Sequence, residues 1–288
     1  MDFHRLYVRP GRKVNLRRYD AADTRPFHDK QKAAGVLDRG LEQLVALQER
    51  LYAHHRWAML LIFQGIDASG KDGAIKHVMS GLNPQGTQVF SFKRPSDEEL
   101  DHDYLWRAVK ALPERGRIGI FNRSYFEEVL VVRVHPEILD GERLPAPLVT
   151  RHVWKDRYED INAFERHLLR NGTLIRKFFL HVSKEEQRRR LLERLDDPSK
   201  NWKFQASDLA ERELWDDYMK AYEEALSKTS TKEAPWFIIP ADHKWFARLA
   251  IAEIVVAALK DLDLSFPKPS AAHLEELAAA RKHLGGES

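Results

Sequence analysis

A glycine-bounded loop ending in lysine, set between a short apolar run and a helical pattern, constrains this chain more than any other stretch. Residues 58–63 are unbroken apolar sequence, as a parallel strand buried on both faces requires. Gly65, Ile66, Asp67, Ala68, Ser69, Gly70 and Lys71 follow with G-x-x-x-x-G-K spacing. Ala74, Ile75, Val78 and Met79 then fall on one face at helical steps. Strand, loop, lysine and helix in that order make a phosphate-binding loop. Gly65 and Gly70 permit a backbone approach that a Cβ would block. The loop amides and the helix N-terminus supply donors and a positive dipole, and Lys71 adds a point charge. Asp72 stands where serine or threonine would ordinarily reach magnesium, and Asp67 lies inside the loop. Two acids there repel phosphate unless a divalent cation, or an acceptor's proton, lies between them.

The chain of 288 residues, 43% of them apolar, suits one large α/β domain with insertions, or one domain plus a small helical part. It has no cysteine, which excludes disulfides, thiolate metal sites and thiol catalysis. No run of about eighteen apolar residues is present to cross a membrane. The first twenty residues lack the apolar segment of a secretory signal, so a cytoplasmic location is expected. A net charge of +3 is small for a dedicated nucleic-acid binder, yet lysine and arginine cluster locally. A polyanionic ligand of limited size fits that balance better.

Five strands are expected, at residues 58–63, 87–92, 118–121, 173–182 and 235–240, alternating with helices. Residues 1–30 read as a basic arm packed on the body, and residues 31–54 as a helix. Ser96 and Glu99 have capping-box spacing and open a helix expected to run to Leu112, with Tyr104, Leu105, Ala108, Val109 and Leu112 inward. Residues 135–147 read as loop, 150–169 as a long helix, and 271–284 as an alanine-rich terminal helix before a Gly-Gly tail. Residues just past a parallel strand's carboxyl end face the ligand crevice, which makes Asn122, Arg123 and Glu127 site candidates. Arg123 could equally form a surface ion pair with Glu127, four residues on. In the helix from residue 184, Leu191, Leu192 and Leu195 share a face on which Arg188 also falls, while Arg189, Arg190 and Arg194 point elsewhere. Arg188 either snorkels past the core or meets an anion in the cleft. Helix, basic loop (residues 196–205) and helix (208–227) between two strands have the layout of a mobile lid, or of a solvated hairpin. Lys244 could approach a base or remain at the surface. A GTPase is disfavoured because N-K-x-D is absent, and Rossmann hydride chemistry because G-x-G-x-x-G is.

Five ordered segments, at residues 65–73, 122–130, 178–187, 194–204 and 234–242, together resemble a family-2 polyphosphate kinase, over roughly residues 5–267. Asn122-Arg123, where other branches carry Asp-Arg, is similar to the branch that accepts both nucleoside mono- and diphosphates. The resemblance implies a three-layer αβα P-loop kinase fold with a parallel five-stranded sheet and a helical lid. In that reading residues 1–55 are an arm and helix on the core, 56–267 the core with a lid at about 184–215, and 268–288 a tail. It also implies phosphoryl transfer from inorganic polyphosphate to AMP or ADP with Mg2+ or Mn2+, guanine being an alternative base, by a homodimer or homotetramer. Carried over by position, the loop of Gly65, Ala68, Ser69, Gly70, Asp72 and Gly73 holds phosphates with Lys71. Asp67 acts at the metal and acceptor phosphate, and Asp208 is the second metal candidate. Arg123 and Arg133 neutralise transferred or acceptor phosphates, beside Asn122. Arg188 and Lys203 grip the polyphosphate, and Glu127 with Arg123 contacts the nucleotide. Two alternatives remain: an ATP-dependent nucleoside monophosphate kinase, and a P-loop module that binds without turnover.

Overall fold

The computed structural model describes residues 3–285. Its sheet has five parallel strands in the order β2-β3-β1-β4-β5. These are β1 (Ala58–Gln64), β2 (Thr87–Ser91), β3 (Ile118–Asn122), β4 (Thr173–His181) and β5 (Trp236–Pro240). The first helices are α1 (Lys30–His54), α2 (Lys71–Val78), α3 (Asp97–Leu100), α4 (Trp106–Lys110), α5 (Val131–Val134) and α6 (Glu137–Gly141). They are followed by α7 (Val153–Arg170), α8 (Lys184–Asp196), α9 (Ser207–Glu213), α10 (Trp215–Thr229), α11 (Lys244–Lys260) and α12 (Ala271–Leu284).

Strand alternation explains the three layers. Met59, Leu61 and Phe63 point to one face and pack with Leu44, Leu51, Val78, Ile251 and Val255 of α1, α2 and α11. Leu60 and Ile62 point to the other and meet Ile161, Tyr222 and Leu226 of α7 and α10. Since both faces are covered, β1 is buried at every residue, which is why its sequence is apolar without a period of two. The arm closes one edge of the sheet: Tyr7 bridges antiparallel to Phe237, and the Val8 amide donates to the Trp236 carbonyl at 2.9 Å. Among the described residues no helix is long and apolar enough to cross a membrane.

All five expected strands are present within a residue or two of their expected ends. Several helices differ. The single helix expected over residues 97–112 is two short ones, α3 and α4, and Val109 is 49% exposed. The Asp103 side chain accepts from the Leu105 amide at 2.9 Å, so a local bond replaces the helical ladder there. The 135–147 loop contains α6, and the helix expected from residue 150 begins at Val153. The helix expected over 208–227 breaks at Leu214 into α9 and α10. No residue of α12 is buried, and the part of the Gly-Gly tail from Gly286 onward lies outside the described residues.

β1 lies between β3 and β4, with Phe63 level with Asn122 and Phe178, so the chain leaves β1 at the point where the strand order reverses. Ligands in open α/β sheets bind in the crevice at the carboxyl ends of such strands. The G-x-x-x-x-G-K loop occupies that place.

Candidate active site

The loop after β1 is shaped by close contacts. A Cβ on Gly65 would stand 2.7 Å from Ser69 Oγ and 3.0 Å from the Leu180 carbonyl, so only glycine fits. Gly70 caps α2 at φ 100°, and Ala68 adopts φ 60° without being glycine. Lys71 opens α2, is buried, and folds its Nζ back onto the Gly65 carbonyl at 2.5 Å and the Ile66 carbonyl at 3.2 Å. Burial first, and then the neighbouring Arg123 guanidinium, push its pKa down to about 8 against the pull of Asp67, Glu127 and Asp72.

Arg123, at φ 63°, sits at the carboxyl end of β3 with its amide on the Phe63 carbonyl at 3.0 Å. Its guanidinium forks between two acids: Nη2 donates to Asp67 Oδ1 at 2.9 Å and Nη1 to Glu127 Oε2 at 3.3 Å. The Glu127 ion pair open at the sequence level is therefore present, but as half of a bridge from the phosphate loop to the turn after β3. Burial opposes the charge on Arg123, yet Glu127 and Asp67 outweigh it and hold the guanidinium above its ordinary pKa. Such left-handed backbone at a non-glycine residue costs about 1–3 kcal/mol, and the rest of the fold sustains it here.

Asn122 Nδ2 donates to Asp72 Oδ1 at 2.8 Å, while Asn122 Oδ1 is buried with no hydrogen-bond partner among the described residues. Asp208 lies across the cleft, in contact with Arg194 at 3.3 Å. Burial, and then the facing Asp67 carboxylate, raise its pKa above the usual carboxylate value. Two facing carboxylates, Asp67 and Asp208, with the unpartnered Asn122 amide oxygen in the same cleft, form an all-oxygen donor set suited to a hard divalent cation. No group of three or more His, Cys, Asp or Glu side chains is gathered to hold a metal among the described residues. A hard divalent cation can be held by one or two carboxylates, its remaining positions filled by phosphate oxygens and water, and Asp67 and Asp208 are the carboxylates this cleft would offer it.

The cleft has a volume of about 930 Å3. Gly65, Asp67, Ala68, Ser69, Gly70, Lys71, Asp72, Gly73, Asn122, Arg123, Glu127, Lys203 and Asp208 all line it. Two expected residues do not. Arg188 is exposed and pairs with Glu185 at 3.1 Å on the outer side of α8. Arg133 donates to Tyr158 Oη at 3.1 Å and Glu224 Oε2 at 2.5 Å, because the helical turn of α5 aims Val131 at the cleft instead.

The phase of α8 is the main departure from expectation. Gln187, Arg190 and Leu191 are its buried residues, whereas Leu192 and Leu195 are 45% and 47% exposed. Arg190 takes the inward position, donating through Nη1 to the Ala68 and Ser69 carbonyls at 3.0 and 2.9 Å, and through Nη2 to the Asp242 carbonyl at 3.2 Å. Gln187 Nε2 donates to the Asp67 carbonyl at 3.1 Å. The phosphate loop thus presents carbonyls to α8, and a guanidinium satisfies them where leucine could not. Phase could have been read from the spacing of Gln187, Arg190, Leu191 and Arg194, but the leucine count pointed one residue away. Arg188→Ala is accordingly expected to change the affinity of the cleft for a polyanion such as tripolyphosphate by less than about twofold, the range of an exposed substitution. A larger loss in calorimetric titration would contradict its placement.

A family model described as Polyphosphate kinase 2 matches residues 28–267. An ADP-polyphosphate phosphotransferase of Rhodopseudomonas palustris is 51% identical over 278 residues, covering 96% of each chain. An AMP/ADP-polyphosphate phosphotransferase of Meiothermus ruber is 46% identical over 269 residues, covering 92% of this chain and 96% of that one. The crystal structure of Polyphosphate Kinase 2 from Arthrobacter aurescens TC1 superposes with a TM-score of 0.85 at 38% identity, covering 95% of this chain and 98% of that one.

Proposed function

The chain belongs to the polyphosphate kinase 2 family, and on that premise we infer that it transfers the terminal phosphoryl group of inorganic polyphosphate to AMP and ADP, reversibly. The observation that carries this reading is the meeting of Lys71, Arg123 and the phosphate loop in one cleft at the sheet's switch point. An acceptor phosphate is already anionic, so the reaction asks for alignment and charge neutralisation more than for a strong base. Lys71 and the first amides of α2, which have no partners within the helix, receive phosphoryl oxygens. Arg123, aligned by Asp67 and Glu127, opposes the charge gathered between donor and acceptor. Arg190 and Gln187 tie α8 to the loop carbonyls and so fix the loop's shape.

We assign the divalent cation, Mg2+ or Mn2+, to Asp67 and Asp208. A cation held by Asp67 and Asp208 would supply positive charge against the phosphoryl oxygens. Residues 184–215 serve as the lid over the cleft, bringing Lys203 toward the polyphosphate. Glu127 is assigned to the nucleotide side of the cleft. Guanine acceptors, a homodimeric or homotetrameric assembly and a cytoplasmic location complete the proposal.

A donor–acceptor matrix tests it: polyphosphate or ATP against AMP, ADP, GMP and GDP, with magnesium, products separated chromatographically. ADP from AMP and ATP from ADP are expected with polyphosphate as donor. Transfer from ATP to AMP with none from polyphosphate would establish the nucleoside monophosphate kinase instead, and nucleotide binding without product would leave a non-catalytic module.

A further inference from the structure

Outside the cleft, the N-terminal arm makes a sharp turn beside β5. The Arg12 amide donates to the Arg9 carbonyl at 3.2 Å across Pro10 and Gly11, with Gly11 at φ 72°. Proline second and glycine third is the pairing such a turn demands, and it holds the α-carbons of its end residues within about 7 Å. Both legs are pinned to the body. The Val8 amide bonds the Trp236 carbonyl at 2.9 Å, the Val8 carbonyl accepts from Ser230 Oγ at 2.6 Å, and the Val14 amide donates to Ser227 Oγ at 2.8 Å. Val8 and Val14 are buried, so the turn is a fixed feature of the surface.

That turn presents Arg9, Arg12 and Lys13, all exposed and none with an ion-pairing carboxylate among the described residues. Arg5, by contrast, is paired with Asp23. The three cations share a cavity of about 150 Å3 with Tyr7 and Tyr19. Three like charges held together by backbone geometry repel one another, and an anion seated among them relieves that repulsion.

We propose that this turn is a second anion site, which holds a distal segment of the polyphosphate chain while its end is in the cleft. The proposal rests on the polyphosphate reading above. The arm connects the two sites: beyond the turn, which lies beside Trp236 at the amino end of β5, it runs to the cleft end of the sheet, where the Tyr19 carbonyl accepts from His181 Nε2 at 3.1 Å and the Ala21 carbonyl from the Asp242 amide at 3.0 Å. Ala241, next to Asp242, already lines the cleft. A polyphosphate long enough to span both sites binds the second as an intramolecular event, at high effective concentration, whereas a short one gains nothing. Nucleic acid is the less fitting occupant. Non-specific binding to it gains affinity from each phosphate neutralised along the strand, and this cavity offers only three free cations among the described residues.

The test is the full-length R9Q/R12Q/K13Q variant, assayed with long-chain polyphosphate and with tripolyphosphate at several salt concentrations. KM for the long chain should rise about tenfold and its salt dependence flatten, with kcat, KM for ADP and KM for tripolyphosphate unchanged. The charge-preserving R9K/R12K/K13R variant should behave as the parent, which separates charge from folding. An equal change for both donor lengths, or none for either, overturns the proposal. So does an unchanged long-chain KM accompanied by lost binding of a single-stranded oligonucleotide, which would assign the turn to nucleic acid. Failure of the parent enzyme to use polyphosphate of any length would strike the family reading itself, and this site with it.

Discussion

Lys71→Ala is expected to lower phosphoryl transfer by about a thousandfold while the chain remains folded, which in barrier terms is about 4 kcal/mol. The size follows from where the ammonium sits: buried, at the first residue of α2, with its contacts made to the carbonyls of its own loop. Those contacts leave its charge for the phosphate that displaces them. Lys71→Met, which keeps most of the buried volume, should lose as much activity as alanine, with an unchanged circular dichroism spectrum. A methionine variant with near-parental kcat would remove the loop from the mechanism.

The same residue predicts the alkaline limb. Its pKa is pushed down to about 8 in the free protein, so the cation is present below that pH and lost above it. The profile of kcat/KM, which reports the free enzyme, should therefore fall as pH rises through about 8. Bound phosphate adds negative charge beside Nζ and raises the pKa, so the fall in kcat should come at higher pH. Coincident limbs in the two profiles would show that another group titrates.

The second large effect concerns stability. Lys177 is fully buried in the middle of β4 and donates to Glu165 Oε2 at 2.5 Å and the Thr229 carbonyl at 2.7 Å. Glu165 also accepts from Tyr125 Oη at 2.9 Å. Burial disfavours the charge on both partners, lowering the pKa of Lys177 and raising that of Glu165, and the pair survives because each supplies what the other lacks. Removing one partner strands the other: Lys177→Met should cost about 3–5 kcal/mol of unfolding free energy, measured from denaturant midpoints at constant slope. Lys177→Met combined with Glu165→Leu should recover much of that loss, since no buried charge is then left alone. A single variant within about 1 kcal/mol of the parent would mean that water reaches the pair, contrary to its burial.

How much was legible depended on how local the cause was. The loop from Gly65 to Gly73 could be read because spacing, glycine positions and flanking periodicity all lie within about twenty residues and agree. Arg123 and Glu127 could be placed because a strand's carboxyl end in a parallel sheet has a known destination. Arg190 could not. Its position depends on the carbonyls of Ala68, Ser69 and Asp242, which come from two other loops, and a leucine-based reading of α8 selected Arg188. Arg133 was misplaced for a similar reason, since α5 turns it toward Tyr158 and Glu224.

The residue pattern alone determined the alternation of five strands with helices, the phosphate loop after the first strand, and the acids and bases that surround it. Apolar periodicity and turn chemistry act over a few residues, so they are written along the chain. Strand order, the phase of α8 against the loop, and the clustering of Arg9, Arg12 and Lys13 beside β5 were decided only by the tertiary structure. Each is settled by which distant backbone groups need partners once both faces of the sheet are covered, and that demand exists only when the chain has folded.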